Sequence, residues 1–362
     1  MLTHEGLRQT LTEGCSAASP YDPSKDSRLI VRSTEPLNIE TPLAALEGTI
    51  TPLPLFFVRN NDTIPEITTE DWELRIDGLV ERPYTLTYDE LRRLPSISYV
   101  AVLQCCGNSR ARFADGERQA EGLQWEDGAV GNAEWVGVPV RLLLDRAGVK
   151  EQALQVECIG GDEQRTTRGV EVTKLREDAI LAYAMNGEPL SQLHGGPVRL
   201  IVPGWGGINA IKWIVGMRVL DCESESVYNQ QKYIMLSEDG ELEGKVRELV
   251  VNSLISNLTP GMRLQPGPQV IRGFAWSPNG GVERVDVSTD GGATWQTARL
   301  LADLGPHSWR QFEWIWEATP GSHIIAARAT DACGQTQPEH VPFNHHGYLM
   351  NAIVNIPVEI VV

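Results

Sequence analysis

The chain has 362 residues, of which 31 are Lys or Arg and 48 are Asp or Glu, so its formal net charge is −17. A negative field of this size repels nucleic acid and anionic lipid, so we expect no nucleic-acid partner and no binding to a membrane surface. The apolar fraction of 41% is typical of globular proteins and excludes a disordered or fibrous chain, and the length predicts about two domains.

The six cysteines, at positions 15, 105, 106, 158, 222 and 333, form no CxxC and no CxxCH motif. This spacing excludes a zinc ribbon, an iron–sulfur cluster motif and a c-type haem attachment site. A chain of this size does not need disulfides, so we expect reduced thiols in a cytoplasmic protein. We see no signal peptide and no membrane-spanning run, although an exported form with its signal removed would give the same sequence.

The first part of the chain predicts short strands and short helices. Residues 1–35 predict an irregular arm, and alternation from Trp72 to Ile76 predicts a strand that Gly78 ends. Thr87 marks a short helix start, and residues 140–147 predict a helix stopped by Gly148. Buried strands are predicted over residues 99–103 and 198–202. We therefore predict an α+β domain over residues 36–247.

Residues 248–362 predict strands separated by turns, with no convincing helix. Asp290-Gly291-Gly292 predicts a hairpin turn after a valine-rich strand. Phe312, Trp314 and Trp316 alternate on one face of a further strand. About 110 residues of short strands match the size of an immunoglobulin-like β-sandwich. This part offers few candidate catalytic groups, so we interpret it as structural or interfacial.

Two clusters combine an arginine with a loop that follows a predicted strand. Arg59 leaves an apolar strand into Asn60-Asn61, and taken alone this pattern is more typical of a solvated arginine at a strand end than of a binding site. Cys105 ends the strand that leads into Cys106, Gly107, Asn108 and Arg110. A cysteine in this position is often an inert apolar residue, but a neighbouring arginine favours the thiolate, which binds soft metals. Residue types alone leave both interpretations of Cys105 open.

Two further clusters lie later in the chain. His194, Arg199 and Lys212 bracket glycine-rich turns, including Gly204-Trp205-Gly206-Gly207. Cations beside such backbone suit an anionic group, but the same glycines also suit a plain hairpin. Tyr233 ends a polar segment and is by default a packing residue. No GxSxG, HExxH, P-loop or GxGxxG motif is present, so hydrolase and nucleotide sites are not indicated.

Taken in order, these clusters resemble the sulfite oxidase family. The resemblance covers roughly residues 40–362 and rests on several separate motifs, which are Phe57-Val58-Arg59-Asn60, Gln104-Cys105 with Gly107-Asn108, Trp125, Asn186-Gly187-Glu188-Pro189, His194-Gly195, Pro197-Val198-Arg199, Lys212-Trp213, Tyr233, and Asp290-Gly291-Gly292 with Thr294-Trp295. It implies a sulfite-oxidase-type molybdopterin domain followed by an immunoglobulin-like dimerisation domain, and hence a homodimer.

The resemblance also implies a cofactor, a reaction and residue roles. Molybdenum bound to molybdopterin would oxidise sulfite, or a similar oxyanion, by oxygen-atom transfer. We expect no haem or flavin in this chain, so electrons would leave to an external acceptor, either oxygen or a cytochrome. Cys105 would ligate the metal. The implied catalytic residues are Cys105, Arg59, Arg110, Tyr233 and Trp125, and the implied cofactor-binding residues are Arg59, Asn61, Cys105, Asp162, His194, Arg199, Asn209, Ala210, Ile211 and Lys212.

Three positions depart from the family pattern. Asn61 replaces a usual histidine, Ser109 replaces one arginine of the cysteine motif, and His346 stands where vertebrate enzymes have a substrate-binding arginine. With less fixed positive charge, we predict that the KM for sulfite rises between about pH 6 and 8 as His346 loses its proton.

These departures keep other interpretations open. One is a related molybdenum oxidoreductase acting on sulfane sulfur, a sulfoxide or nitrate. Another is a cofactor-free dimeric scaffold, against which the joint presence of Cys105, Arg59, Arg110 and Tyr233 argues.

Overall fold

The structure is a computed structural model that describes residue 22, residues 24–114 and residues 118–362. Most of its regular structure is β-sheet. The α-helices of the described residues are few and short, and they are α1 (Tyr88–Arg92), α2 (Val140–Ala147) and α3 (Val172–Glu177). The α+β prediction therefore overstated the helix content. The three helices add side chains to a core that is built mainly by strands.

The strands before residue 250 form the framework of the first half. In chain order they are β1 (Ile30–Thr34), β2 (Leu37–Glu40), β3 (Glu73–Gly78), β4 (Tyr84–Thr87), β5 (Ile97–Gln104), β6 (Val130–Pro139), β7 (Gln155–Gly160), β8 (Thr167–Glu171), β9 (Ile180–Met185), β10 (Glu188–Pro189), β11 (Arg199–Ile201), β12 (Ile214–Leu220), β13 (Ile234–Leu236) and β14 (Leu242–Lys245). One five-stranded sheet has the order β10-β9-β6-β5, with β11 also paired to β9, and the other has the order β4-β3-β12-β7-β8.

Local signals account for the predicted helices and for part of the arm. The Thr87 side chain accepts from the Glu90 backbone N–H and Glu90 returns the bond, which is a capping box for α1. Gly148 ends α2 in the left-handed conformation at φ 70°, as its position predicted. The end of the predicted arm is not irregular, because β1 and β2 pair as a hairpin. Residues 1–21 and residue 23 lie outside the described residues.

The second half contains the remaining strands, which are β15 (Asn252–Ile255), β16 (Met262–Leu264), β17 (Gly267–Trp276), β18 (Val282–Ser288), β19 (Gln296–Thr297), β20 (Arg299–Leu300), β21 (Arg310–Ala318), β22 (Gly321–Asp331) and β23 (Ile356–Ile360). They form a four-stranded sheet, β15-β17-β21-β20, and a five-stranded sheet, β16-β23-β22-β18-β19. Both sheets contribute to one apolar core, which includes Phe312 and Trp316 of β21. The immunoglobulin-like topology itself stays a prediction.

Loops at the ends of buried strands bring the candidate residues together. β5 ends at Gln104, directly before Cys105, and β11 begins with Arg199. Single-turn 3₁₀ segments at Gln192–His194 and Gly207–Asn209 flank β11. Tyr233 lies between a π-helical turn, Tyr228–Lys232, and β13. The rigid sheets thus carry a set of tight turns that face one another.

Candidate active site

A cleft opens where these turns meet the segment that precedes β3. Its empty volume is about 610 Å³, open solvent at its mouth included. The predicted residues that line it are Arg59, Asn61, Cys105, Asp162, Arg199, Ala210, Ile211, Lys212 and Tyr233. Residues more than 170 positions apart in sequence are therefore brought into one site.

Cys105 lies in this cleft because a tight turn follows β5. Its backbone N–H donates to Ala129 (2.9 Å) and its carbonyl accepts from the Asn108 N–H (2.9 Å). The Asn108 side chain accepts from the Ala129 N–H (2.8 Å), which fixes the turn from its other side. The neighbouring Cys106 is 1% exposed, and burial raises the pKa of its thiol to about 12. Both residues line the cleft, but Cys105 is the more exposed of the two, at 7%, and it also borders the wider opening beside Arg110.

Arg199, which is buried, and Lys212, which is half-buried, place two positive groups in the cleft. Arg199 donates to the carbonyl oxygens of His194 (3.1 Å) and Ala210 (3.2 Å). Lys212 donates to Asn60 Oδ1 (2.6 Å) and to the Leu193 carbonyl (2.7 Å). Neither cation has a carboxylate partner among the described residues. Both are therefore available to an anion.

Burial without counter-charge shifts the titration of these groups. Burial lowers the pKa of Arg199 to about 9. Burial, together with the charges of Arg199, Arg59 and Lys25, holds the pKa of Lys212 well below its usual value. Asp162 also lines the cleft, but its oxygens accept from the Thr166 N–H (2.9 Å) and hydroxyl (2.5 Å). The cleft floor is thus cationic on balance, although the protein as a whole is strongly acidic.

Arg59, Asn61 and Tyr233 form a connected group at the cleft wall. Arg59 donates to Asn61 Oδ1 (2.6 Å), to Asn38 Oδ1 (3.2 Å) and to the Asn60 carbonyl. The Tyr233 hydroxyl lies 3.4 Å from the same Asn61 oxygen. Burial raises the pKa of Tyr233, so it remains a protonated hydroxyl that can donate a hydrogen bond.

Arg110 occupies a slot at a wider opening that also borders Arg59, Cys105 and Tyr233. It donates through Nε to the His346 carbonyl (2.8 Å) and through Nη1 to the Leu123 carbonyl (2.9 Å). Three glycines shape the slot. A Cβ at Gly107, Gly122 or Gly347 would come within 2.4, 2.7 or 2.6 Å of the Arg110 side chain. Arg110 is 6% exposed and has no carboxylate partner within the described part of the chain.

The second half of the chain contributes His346 and Tyr348 to this opening. His346 lies 3.7 Å from a Glu121 carboxylate oxygen. Burial lowers the pKa of His346, with Arg110 and His345 acting in the same direction and Glu121 opposing them. Its charge is therefore lost at a lower pH than the usual histidine value of 6.5, and the window of about pH 6 to 8 expected from the sequence is too high.

Three predicted residues are placed differently from what the sequence implied. Trp125 is fully buried, does not line the cleft, and its indole N–H has no hydrogen-bond partner among the described residues. Asn209 does not line the cleft. Its side chain accepts from Arg168 Nε (2.9 Å) and donates to the Gly206 carbonyl (3.0 Å), which stabilises the turn that begins at Gly206. His194 lines a separate cavity and not the cleft, and its carbonyl accepts from Arg199 (3.1 Å).

Sequence reasoning missed two buried cations. Lys25 is 2% exposed and reaches His194 from the predicted arm. Arg168 is 1% exposed and donates to Asn209 Oδ1 (2.9 Å) and to the carbonyls of Tyr228 (2.5 Å) and Val246 (2.6 Å). No local motif marks either residue, since each depends on carbonyl groups from distant segments.

Among the described residues, no group of three or more His, Cys, Asp or Glu side chains is arranged to hold a metal ion. The same residues include no helix that is long and apolar enough to cross a membrane.

Known proteins match almost the whole chain. Residues 61–228 match the family model for an oxidoreductase molybdopterin binding domain, and residues 243–361 match that for a Mo-co oxidoreductase dimerisation domain. Sulfite oxidase of Gallus gallus is 36% identical over 93% of this chain and 79% of its own length. The chain belongs to the sulfite oxidase family.

Other relatives in this family carry different names. Nitrate reductase [NADH] 2 of Phaseolus vulgaris is 34% identical over 87% of this chain, which spans 40% of that protein. The solved structure of the sulfane dehydrogenase SoxCD from Paracoccus pantotrophus superposes with a TM-score of 0.84 at 33% identity, covering 91% of this chain and 88% of that one. The predicted family is confirmed, and this sulfite oxidase family member is a molybdopterin oxidoreductase.

Proposed function

We propose that this protein oxidises sulfite to sulfate by molybdenum-dependent oxygen-atom transfer and passes the electrons to an external acceptor. One observation carries the proposal. Cys105 shares a cleft with buried Arg199 and half-buried Arg59 and Lys212, and these three cations have no carboxylate partner among the described residues. Cations withdrawn from water without counter-charge are costly unless an anion binds beside them, and the thiol at the same place suits a soft metal.

The residues present fit a molybdenum–molybdopterin cofactor, which carries a phosphate and soft sulfur donors. Cys105 supplies a thiolate, the ligand type that such a metal prefers. Arg199 and Lys212 suit the phosphate, since fixed cations stabilise that charge, and we assign the adjoining backbone of Ala210 and Ile211, which also line the cleft, to the same group. When bound, the cofactor would supply the metal and the two-electron redox chemistry.

We assign the remaining cleft residues to the substrate anion. Arg59 and Arg110 would bind its oxygens, and the two carbonyl bonds of Arg110 hold that guanidinium in place before substrate arrives. Tyr233 would donate its hydroxyl proton in a hydrogen bond to an oxygen at the reacting centre. Tyr348 stacks on Tyr233 and covers one face of its ring.

The proposal extends to the organisation of the protein. We assign residues 36–247 to the cofactor-binding domain and residues 248–362 to an immunoglobulin-like domain that pairs two copies of the chain. We propose oxygen or a cytochrome as the acceptor.

A second candidate is a molybdenum oxidoreductase with another substrate, such as sulfane sulfur. The specific observation in its favour is His346. Since burial lowers the pKa of its imidazole, the opening has one fixed positive charge fewer near neutral pH than an arginine there would give. The similarity to a sulfane dehydrogenase over most of both chains is in keeping with this candidate.

Metal analysis combined with a sulfite-dependent dye-reduction assay tests both candidates. Protein expressed with an ample cofactor supply should contain one molybdenum per chain and reduce the dye only when sulfite is present. Stoichiometric molybdenum without sulfite turnover would favour the second candidate, which sulfane, sulfoxide and nitrate assays then resolve. Protein that contains no molybdenum would contradict both and favour the scaffold hypothesis.

A further inference from the structure

Lys25 is buried at a junction of three segments although it comes from the polar stretch before β1. Its Nζ donates to the carbonyl oxygens of Leu53 (2.6 Å) and Phe56 (2.9 Å) and lies 2.7 Å from Nε2 of His194. An ammonium group has three N–H donors and no acceptor. The three neighbours therefore use its full donor capacity.

This geometry determines which nitrogen of His194 carries the proton. Because an ammonium can only donate, Nε2 of His194 must be the acceptor and hence unprotonated. Burial and the charges of Lys25, Lys212 and Arg199 hold the pKa of His194 well below its usual value, so the ring is neutral. A neutral ring with a bare Nε2 carries its hydrogen on Nδ1.

The segments that Lys25 joins are those that carry the cations of the cleft. The carbonyl of Leu193 accepts from Lys212 (2.7 Å), and that of His194 accepts from Arg199 (3.1 Å). Phe56, on the other side of Lys25, lies three residues before Arg59 and packs edge-on against the His194 ring. Loss of the Lys25 contacts would therefore affect the position of residues on both of these segments.

We propose that Lys25 is a positioning residue for the cofactor cleft, locking the His194 turn against the Phe56–Arg59 segment and holding His194 in the form protonated on Nδ1. The hydrogen bonds of Lys25 do not depend on the proposed function, whereas the statement that these turns hold a molybdopterin rests on it. The Lys25 side chain would thus connect the two sides of the site.

Nitrogen-15 NMR of histidine-labelled protein tests the network directly. Burial lowers the pKa of Lys25 to about 7, with nearby Asp22 opposing, so spectra at pH 6 observe mainly the ammonium form. His194→Asn assigns the His194 signals. We expect a bare Nε2 and a protonated Nδ1 in the wild type, and loss of this pattern in Lys25→Met. Lys150→Met, at an exposed lysine, is the matched control and should leave the spectrum unchanged. A protonated Nε2 in the wild type would overturn the proposal, as would identical His194 signals in wild type and Lys25→Met.

Cofactor retention tests the consequence. The rate at which pterin fluorescence appears in solution should rise by about 10-fold or more in Lys25→Met, which is the usual effect of removing an outer-shell support. Lys150→Met should release pterin at the wild-type rate. Release from Lys25→Met at the wild-type rate would overturn the positioning role. Wild-type protein that binds no pterin at all would instead contradict the proposed function, and the NMR result would still decide whether the Lys25 network exists.

Discussion

The ring of Tyr348 stacks on the ring of Tyr233, with centroids 5.3 Å apart and 15° between the planes. The Tyr348 hydroxyl donates to the carbonyl of Lys232 (2.8 Å), which is the residue before Tyr233. The ring and the hydroxyl of Tyr348 therefore contact the same short segment, Lys232 and Tyr233, and together they support the position of Tyr233.

Substitutions of Tyr348 should separate these two contacts. Tyr348→Phe keeps the stack and loses one hydrogen bond, so we expect a loss of about 1 kcal/mol in the free energy of unfolding and little change in kcat/KM. Tyr348→Ala removes the support of Tyr233, and kcat/KM should fall by about 10-fold to 100-fold. Steady-state kinetics and urea unfolding of both variants measure this. Equal kcat/KM in wild type and Tyr348→Ala would show that the contacts of Tyr348 are not needed to position Tyr233.

Cys105→Ser should keep the fold and lose turnover. A hydroxyl is a poor substitute for a thiolate on a soft metal, so activity should fall by more than about 100-fold, beyond the usual effect of outer-shell changes. Circular dichroism, molybdenum content and the dye assay report fold, loading and turnover. The exposed Cys333→Ser is the control and should behave like wild type. Full activity of Cys105→Ser would reject the ligand assignment.

Arg110→Lys should weaken substrate binding. A lysine cannot make the paired carbonyl bonds that fix the guanidinium, so we expect the KM for sulfite to rise about 10-fold, equivalent to about 1.4 kcal/mol. Arg112→Lys is a matched control, because Arg112 pairs with Asp127 and does not line the cleft. The assignment of Arg110 to the substrate is wrong if both variants raise KM equally.

The pH dependence of KM should report on His346. Its pKa is lowered in the folded protein, so the imidazolium forms only as the pH falls below about 6.5, and its attraction for sulfite is absent above that value. The window is therefore more acidic than the sequence predicted. The ratio of KM in His346→Ala to KM in wild type cancels the ionisation of sulfite itself. We expect this ratio to rise on acidification from pH 7 to pH 5, and a flat ratio would exclude a role for the imidazolium. In His346→Arg the charge should persist at pH 7 and above and keep KM low.

Protein without cofactor should gain stability as the pH rises. Lys25, with a pKa lowered to about 7, and Lys212, also lowered, bind fewer protons in the folded than in the unfolded state above that pH. The free energy of unfolding should therefore increase between pH 7 and 9, by up to about 1.4 kcal/mol per pH unit for each group. Urea unfolding of apoprotein measures this slope. Inorganic phosphate should reduce it by favouring the charged forms, and Lys25→Met should also reduce it. A slope that is unchanged in Lys25→Met would mean that this lysine is not buried as described.

Features with a local cause could be predicted from the sequence. Gly148 and the apolar face of residues 140–147 gave α2 its observed bounds, and the end of a buried strand placed Cys105 beside a tight turn. The clustering of Arg59, Arg199 and Lys212 could be expected only through resemblance to a family, because no spacing rule links such distant positions.

Other features depend on tertiary contacts that no local pattern encodes. Lys25 can be buried because a carbonyl of a distant turn and His194 accept hydrogen bonds from its ammonium group. Nothing in the sequence around Lys25 indicates these partners. Trp125 matches a family motif, yet it lies in the core and does not line the cleft. Tyr348 reaches the opening through a return of the second half to the first, so its role emerges only in three dimensions.

The slot around Arg110 has a consequence for biosynthesis. The His346 carbonyl, which accepts from Arg110, lies 236 positions later in the chain, and Gly347 follows it directly. The residues proposed to hold the phosphate all precede residue 213, whereas the proposed substrate arginine stays without this support until residues 346 and 347 have been made. The order of translation would thus allow the phosphate turns to form before the substrate opening is finished.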